Sequence, residues 1–276
     1  MEALAPAGST VRTLMPPGRS EHGYEPTPRD LADLAKADVV VYVGLGLEPR
    51  VESFVKDRPR PSRIDLCMAA ALKITAAHDH DEHDHDDHAD HEHAVDPHLW
   101  LDPVLVEQFI PHAAAAVRQA SARKQALSEP ASAALADKER ALVTRVRAMD
   151  DAWRTRLAPY AGRAIVTHHN AFPRPAARYG LRVAAVIRGL DNVEPPPSAM
   201  EKVVTAVRRE QVHAVFVEPQ FNASLAERIA KAAGVRVARL DPLGAGDWFA
   251  MMAGNLDSLT ANLGPSASPS SPSDPK

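Results

Sequence analysis

Four short apolar runs recur through the second half of the chain, and their spacing constrains the fold more than any other feature. They are RAIVT (163–167), VAAVI (183–187), HAVFV (213–217) and VRVARL (235–240). Each is brief and rich in β-branched residues, as a buried strand requires. The intervals between them are long enough to hold helices. Parallel neighbours need a crossover connection, so this rhythm predicts an α/β domain with a mostly parallel sheet. Ser198, with Glu201 three residues on, predicts a capping box at one helix start. The stretch LAERIAKAA predicts another helix, stopped by Gly234.

The first half is less regular. DVVVYV (38–43) reads as a buried strand ended by Gly44. Before it, TPRDLADLAKA reads as a helix with Thr27 at the N-cap, Pro28 at the first helical position and Asp30 at the third. Leu31, Leu34 and Ala35 then share a face. Asp102 and Pro103 open a further helix through VLVEQFIPHAAAAV, with a bend predicted at Pro111. The stretch LADKERALVTRVRAMDDAWRTRLAPY, after Pro130, predicts one long helix able to bridge two domains.

The 276 residues are 45% hydrophobic, enough for one large core or two ordinary ones. The net charge of -4 comes without a basic block, which excludes a nucleic-acid footprint. No apolar run approaches the roughly 18 residues of a membrane span. Cys67 is the only cysteine, which excludes an intramolecular disulfide and a cysteine-cluster metal site. The opening MEALAPAGSTVRTLMPPG lacks the basic start and apolar segment of a signal peptide. That leaves a cytosolic protein or a sequence that has lost its leader.

Residues 78 to 93, HDHDEHDHDDHADHEH, hold seven histidines and eight acidic residues. The histidines are His78, His80, His83, His85, His88, His91 and His93. Imidazole suits zinc and other late transition metals, and carboxylates hold cations nearby. With almost no apolar content, the stretch from Ala76 to His93 is expected to be a mobile loop without metal. Ordering such a loop costs about 1–2 kcal/mol per residue, so scattered, weaker binding is expected there.

Six histidines lie elsewhere. His22 and His98 each precede a predicted helix. His168 and His169 follow the strand AIVT, and Asp241 follows VRVARL. Residues beyond the carboxyl ends of parallel strands line the binding crevice of α/β sheets. One of the paired histidines, Asp241 and the two pre-helical histidines therefore make a candidate shell for Zn²⁺. Each also has a plainer reading: a helix-start hydrogen bond for the histidines, a turn before Pro242 for Asp241. His112 and His213 read as surface or structural residues. Glu218, after HAVFV, is either a general base or a carboxylate that holds a ligand histidine. Zinc-protease, nucleophile-elbow and phosphate-loop motifs are absent.

Taken together, TLMPPGRSEHGYEPTPRDL, ADVVVYVGLGLE, VDPHLWLDP, VTHHNAF with RYGL, GLDNVEPPPSAM, VFVEPQFN and LDPLG resemble the periplasmic zinc-binding components of ABC importers, over about residues 8 to 263. The resemblance implies two α/β lobes with mostly parallel sheets, joined by a long helix, with metal in the interlobe cleft. It divides the chain into an N-terminal lobe (1–129, with the loop at 76–93), a linking helix (130–160), a C-terminal lobe (161–263) and a disordered Pro/Ser-rich tail (264–276).

Carried over by motif, the ligands are His22, His98, His169 and Asp241, with Glu21 as a further or substitute carboxylate. The residue placed one polar position before AF selects His169 over His168. The histidine-rich insertion is similar to that of zinc-specific members, which favours Zn²⁺ over Mn²⁺ and makes the loop an auxiliary collector. No catalysis is implied. The implied partner is an ABC permease in the cytoplasmic membrane with its intracellular ATPase, and the implied location is periplasmic or extracellular at the membrane. Family members carry a leader, a strand and a helix before the point where this chain enters, so a truncation or a missed upstream start is expected. Arg174, between Pro173 and Pro175, stands where the family often has tyrosine. The rival readings are a metal-dependent hydrolase using Glu218 and a zinc buffer without a permease.

Overall fold

The computed structural model describes residues 1–75, 95–124, 127–188 and 195–265. The histidine-rich loop and its seven histidines lie outside the described residues, as does most of the Pro/Ser-rich tail. The chain divides into two units, Met1–Ala148 and Met149–Lys276.

In the first unit, α1 (Pro28–Lys36) begins as its sequence predicts. The Thr27 hydroxyl accepts from Asp30 N, and the Asp30 carboxylate accepts from Thr27 N, a complete capping box. Strand β1 (Val39–Tyr42) follows, then α2 (Pro49–Asp57), β2 (Ile64–Cys67) and the single turn α3 (Met68–Ala71). β1 and β2 pair in parallel, with Val39 opposite Ile64. Leu34, Val40, Val51 and Phe54 form one apolar cluster beneath them. Helix α4 (Pro103–Lys124) is continuous through Pro111. Its Ala113, Ala114 and Val117 pack with Leu4 and Leu135 in a second cluster.

Helix α5 (Glu129–Leu157) is 29 residues long and carries the chain from the first unit into the second. In the second unit its end is anchored by Trp153, which is buried and donates from Nε1 to Met252 O at 3.2 Å.

The second unit contains β3 (Ala164–Thr167), α6 (Pro173–Arg178), β4 (Arg182–Val186), α7 (Pro197–Arg209), β5 (Ala214–Val217), α8 (Ser224–Ala233), β6 (Arg236–Arg239) and α9 (Trp248–Asn262). All four strands are parallel, in the order β4-β3-β5-β6. The central strands β3 and β5 are buried along their whole length, which is why their sequences are continuous apolar runs. Val166, Val215, Ile229, Val203 and Val207 lie in one core with both flanking helices α7 and α8. Helix α8 ends at Gly234, whose φ of 78° is the left-handed conformation that glycine adopts without strain.

One predicted cap is not formed. Helix α7 starts at Pro197 with Pro196 in the N-cap position and no side-chain cap. Proline has a preset φ and no N–H to satisfy, so it opens the helix ahead of Ser198, which lies inside the first turn.

Candidate metal centre

The strand order sets where chemistry can sit in the second unit. The chain leaves β3 toward β4 on one side and reaches β5 on the other, so β3 and β5 flank the topological switch point. In open parallel sheets, ligands bind beyond the carboxyl ends of the strands at such a point. His169 follows β3 there, and Glu218 follows β5. His169 Nδ1 is hydrogen-bonded to Glu218 Oε1, and both residues are buried. A carboxylate only accepts, so the proton sits on Nδ1 and the lone pair of the neutral ring is on Nε2. The backbone of His169 is also fixed: its carbonyl accepts from Thr167 Oγ1 at 2.9 Å and from Ala171 N at 3.0 Å. Of the two roles the sequence leaves open for Glu218, this contact is of the kind by which a carboxylate holds a histidine ring in one orientation.

His168 has a different setting. Its ring lies 4.4 Å from that of Phe221, centroid to centroid, and is fully buried. Burial, then the Arg188 charge, then His169 hold its pKa down to about 4, so the folded protein keeps it neutral.

Asp241 follows β6. Its Oδ1 accepts from Gln220 Nε2, Leu243 N and Gly244 N, each at 3.0 Å. Asn255, from α9, pairs with the Asp241 backbone at both ends: its Oδ1 accepts from Asp241 N and its Nδ2 donates to Asp241 O, each at 2.7 Å. The loop after β5 thus serves three neighbours. Glu218 orients His169, Gln220 holds Asp241, and Phe221 covers His168.

The first unit builds a second cluster from two loops. Glu21 and His22 lie in the turn before α1, and His98 is the residue ahead of a short 3-10 turn, Leu99–Leu101, that leads into α4. His98 is fully buried. Asp96 Oδ1 accepts from both His98 N at 2.9 Å and His98 Nδ1 at 2.7 Å, which again fixes the proton on Nδ1 and presents Nε2. That Nε2 lies 3.2 Å from His22 Nε2 and 3.4 Å from Glu21 Oε1. Donors bound tetrahedrally to zinc at about 2.05 Å lie about 3.3 Å apart. The donor atoms of Glu21, His22 and His98 all fall within 4.8 Å of one another. Two imidazoles and a carboxylate at this spacing match one face of a zinc shell.

Glu21, His22 and His98 come together in the first unit. His169 with Glu218, and Asp241 with Gln220, sit at the carboxyl ends of strands in the second. His112 is exposed on α4, and His213 is half-buried ahead of β5. Sequence reasoning missed three supporting residues: Asp96, Gln220 and Asn255. Asp96 had a local signal, because an Asp two residues before a helix-start histidine forms a side-chain turn to its backbone. Asn255 had none, being 14 residues beyond its partner.

Against family models, residues 2–262 match the family described as zinc-uptake complex component A, periplasmic. The chain belongs to that family. It is 26% identical over 264 residues to the high-affinity zinc uptake system protein ZnuA of Bacillus subtilis, covering 92% of this chain and 80% of the relative. It is 27% identical over 246 residues to the zinc-binding lipoprotein AdcA of Streptococcus pneumoniae, covering 86% of this chain and 46% of AdcA. The chain therefore spans about half of AdcA. Among solved structures it superposes on the periplasmic zinc-binding protein TroA of Treponema pallidum with a TM-score of 0.77 at 21% identity, covering 95% of this chain and 93% of the other. At that identity the likeness concerns the fold: two α/β lobes with parallel sheets, connected through a long helix.

Proposed function

We propose that this chain captures Zn²⁺ outside the cytoplasm and delivers it to an ABC permease driven by an intracellular ATPase. Zinc is cargo here, bound and released without bond making. The observation that carries the reading is the cluster of Glu21, His22 and His98 at zinc-ligand spacing, in a chain of the zinc-uptake family. His22, His98, His169 and Asp241 form the proposed shell, with Glu21 as a further or substitute carboxylate ligand. Asp96 and Glu218 support this reading, because each fixes the tautomer in which a histidine offers Nε2 to metal. The segment 130–160 is the proposed link between the two metal-binding halves. The loop histidines His78 to His93 are proposed as an auxiliary collector that raises the local metal concentration.

The hydrolase reading lacks support. It needs an open metal position and a base positioned over it. Glu218, its candidate base, is engaged by His169. Among the described residues no helix is long and apolar enough to cross a membrane.

The test is complementation. Fused to an export signal, the chain is expected to restore growth on limiting zinc to cells that lack their own zinc receptor but keep the permease. Export of folded protein without rescue overturns the transport role. A zinc affinity intact in that same protein would then leave the buffer reading.

A further inference from the structure

The segment that carries Glu21 and His22 brings little apolar material of its own. From Pro16 to Gly23 it reads PPGRSEHG, which offers no large apolar side chain to a core. Residues between Arg12 and Asp30 instead line a cavity of about 600 Å³, with His22 and Tyr24 in its wall. Chain that borders a cavity gains little from burial or dispersion, so polar contacts must set its place.

Those contacts converge on one buried side chain, Asp30, in the first turn of α1. Its Oδ2 accepts from Thr27 N at 2.8 Å and from Thr27 Oγ1 at 2.7 Å, and faces Tyr24 Oη at 3.0 Å. Its Oδ1 accepts from Arg12 Nη2 at 2.7 Å, while Arg12 Nη1 pairs with Asp33. Tyr24 Oη also lies 2.8 Å from Leu14 O, so one phenolic proton serves two acceptors and closes residues 14 to 24 into a loop. Leu14 in turn packs on the cluster of Leu34, Val40, Val51 and Phe54. The Thr27 contacts cap α1. The Arg12 and Tyr24 contacts tie down the chain on either side of Glu21 and His22.

We infer that Asp30 is a positioning residue for the metal: through Tyr24 and Arg12 it fixes the loop that holds His22 Nε2 3.2 Å from His98 Nε2. The inference rests on Glu21 and His22 being metal ligands, as proposed above. It gives a helix cap a second task, because the carboxylate that starts α1 also sets one edge of the metal cluster.

The test separates the two tasks. Tyr24→Phe removes the shared hydroxyl and leaves the Thr27 contacts in place, whereas Thr27→Ala does the reverse. Zinc affinity is measured by dye competition on the full chain and on Tyr24→Phe, Asp30→Asn and Thr27→Ala, with urea unfolding of the metal-free proteins alongside. Tyr24→Phe and Asp30→Asn are expected to weaken zinc about 3–10-fold, less than the roughly 10–100-fold typical of a group bonded directly to a ligand ring. Thr27→Ala is expected to lower stability and leave zinc affinity unchanged. Amide hydrogen exchange across residues 14 to 24 is expected to quicken in metal-free Tyr24→Phe and to slow again on zinc saturation. Parental zinc affinity in folded Tyr24→Phe overturns the inference, and so does a loss in all three variants that follows only their loss of stability. Should Asp30→Asn not fold, Tyr24→Phe against Thr27→Ala decides alone. His22→Ala distinguishes the levels. If it leaves zinc unaffected, the proposed shell is wrong. If it weakens zinc while Tyr24→Phe does not, only the role of Asp30 is wrong.

Discussion

Replacing Glu218 probes the proposed shell through a residue whose carboxylate holds one of its histidines. In the structure its Oε1 is bonded to His169 Nδ1, and the pair is 2% and 3% exposed. Water therefore screens the contact little, and a hydrogen bond to a charged group in such a setting is worth about 1.5–3 kcal/mol. Loss of a carboxylate behind a ligand histidine typically weakens metal binding about 10–100-fold, or about 1.4–2.7 kcal/mol. The burial argues for the upper half of that range. Glu218→Ala is thus expected to weaken zinc binding about 30–100-fold. It also leaves a buried ring N–H without its acceptor, which lowers the stability of the metal-free protein by about 1–3 kcal/mol. Glu218→Gln keeps an acceptor oxygen for Nδ1 while removing the charge, so its loss is expected to be only about 5–10-fold. The assay is competition against a chelating zinc dye, with urea unfolding of the metal-free proteins alongside. Zinc binding by folded Glu218→Ala at parental strength, with His169→Ala impaired, would refute the claim that this contact orients the ligand.

Asp96→Ala makes the parallel case in the first unit and is expected to weaken zinc about tenfold or more in the same dye assay, since Asp96 fixes the His98 tautomer. Thr27→Ala removes the α1 cap and is expected to cost about 1 kcal/mol in urea unfolding, with zinc affinity little changed. In metal-free protein, His168 stays neutral in the folded state down to about pH 4, whereas the unfolded chain takes up the proton near 6.5. Between those values the unfolded state binds more protons, so stability falls as pH falls; above 6.5 the residue has no effect. The slope is at most about 1.4 kcal/mol per pH unit, reduced by whatever solvent reaches the ring. His168→Phe, measured by unfolding on both sides of 6.5, is expected to remove it.

What the sequence makes legible here is local. The strands of the second unit are readable because β3 and β5 are buried on both faces and so need unbroken apolar runs. The α1 cap is readable because all its atoms lie within four residues. Ser198 misleads because a capping-box spacing also occurs inside a helix that two prolines have already started. The strand order β4-β3-β5-β6 is a tertiary fact, and it alone puts Glu218 beside His169 across 49 residues of chain. Strand β2 is missed for a related reason: Asp65 interrupts its apolar run and pairs with Arg63. His22 and His98 carry readable motifs, but their 3.2 Å approach spans 76 residues and emerges only from packing. Gln220 is invisible until Asp241 stands beside it.

The most direct test of the account is a zinc titration of the chain lacking residues 78 to 93, next to the same protein carrying His98→Ala and His169→Ala. One tight zinc ion per chain is expected in the first, and loss of that ion in the second. Tight binding that vanishes with the loop, or that survives the double substitution, would contradict it.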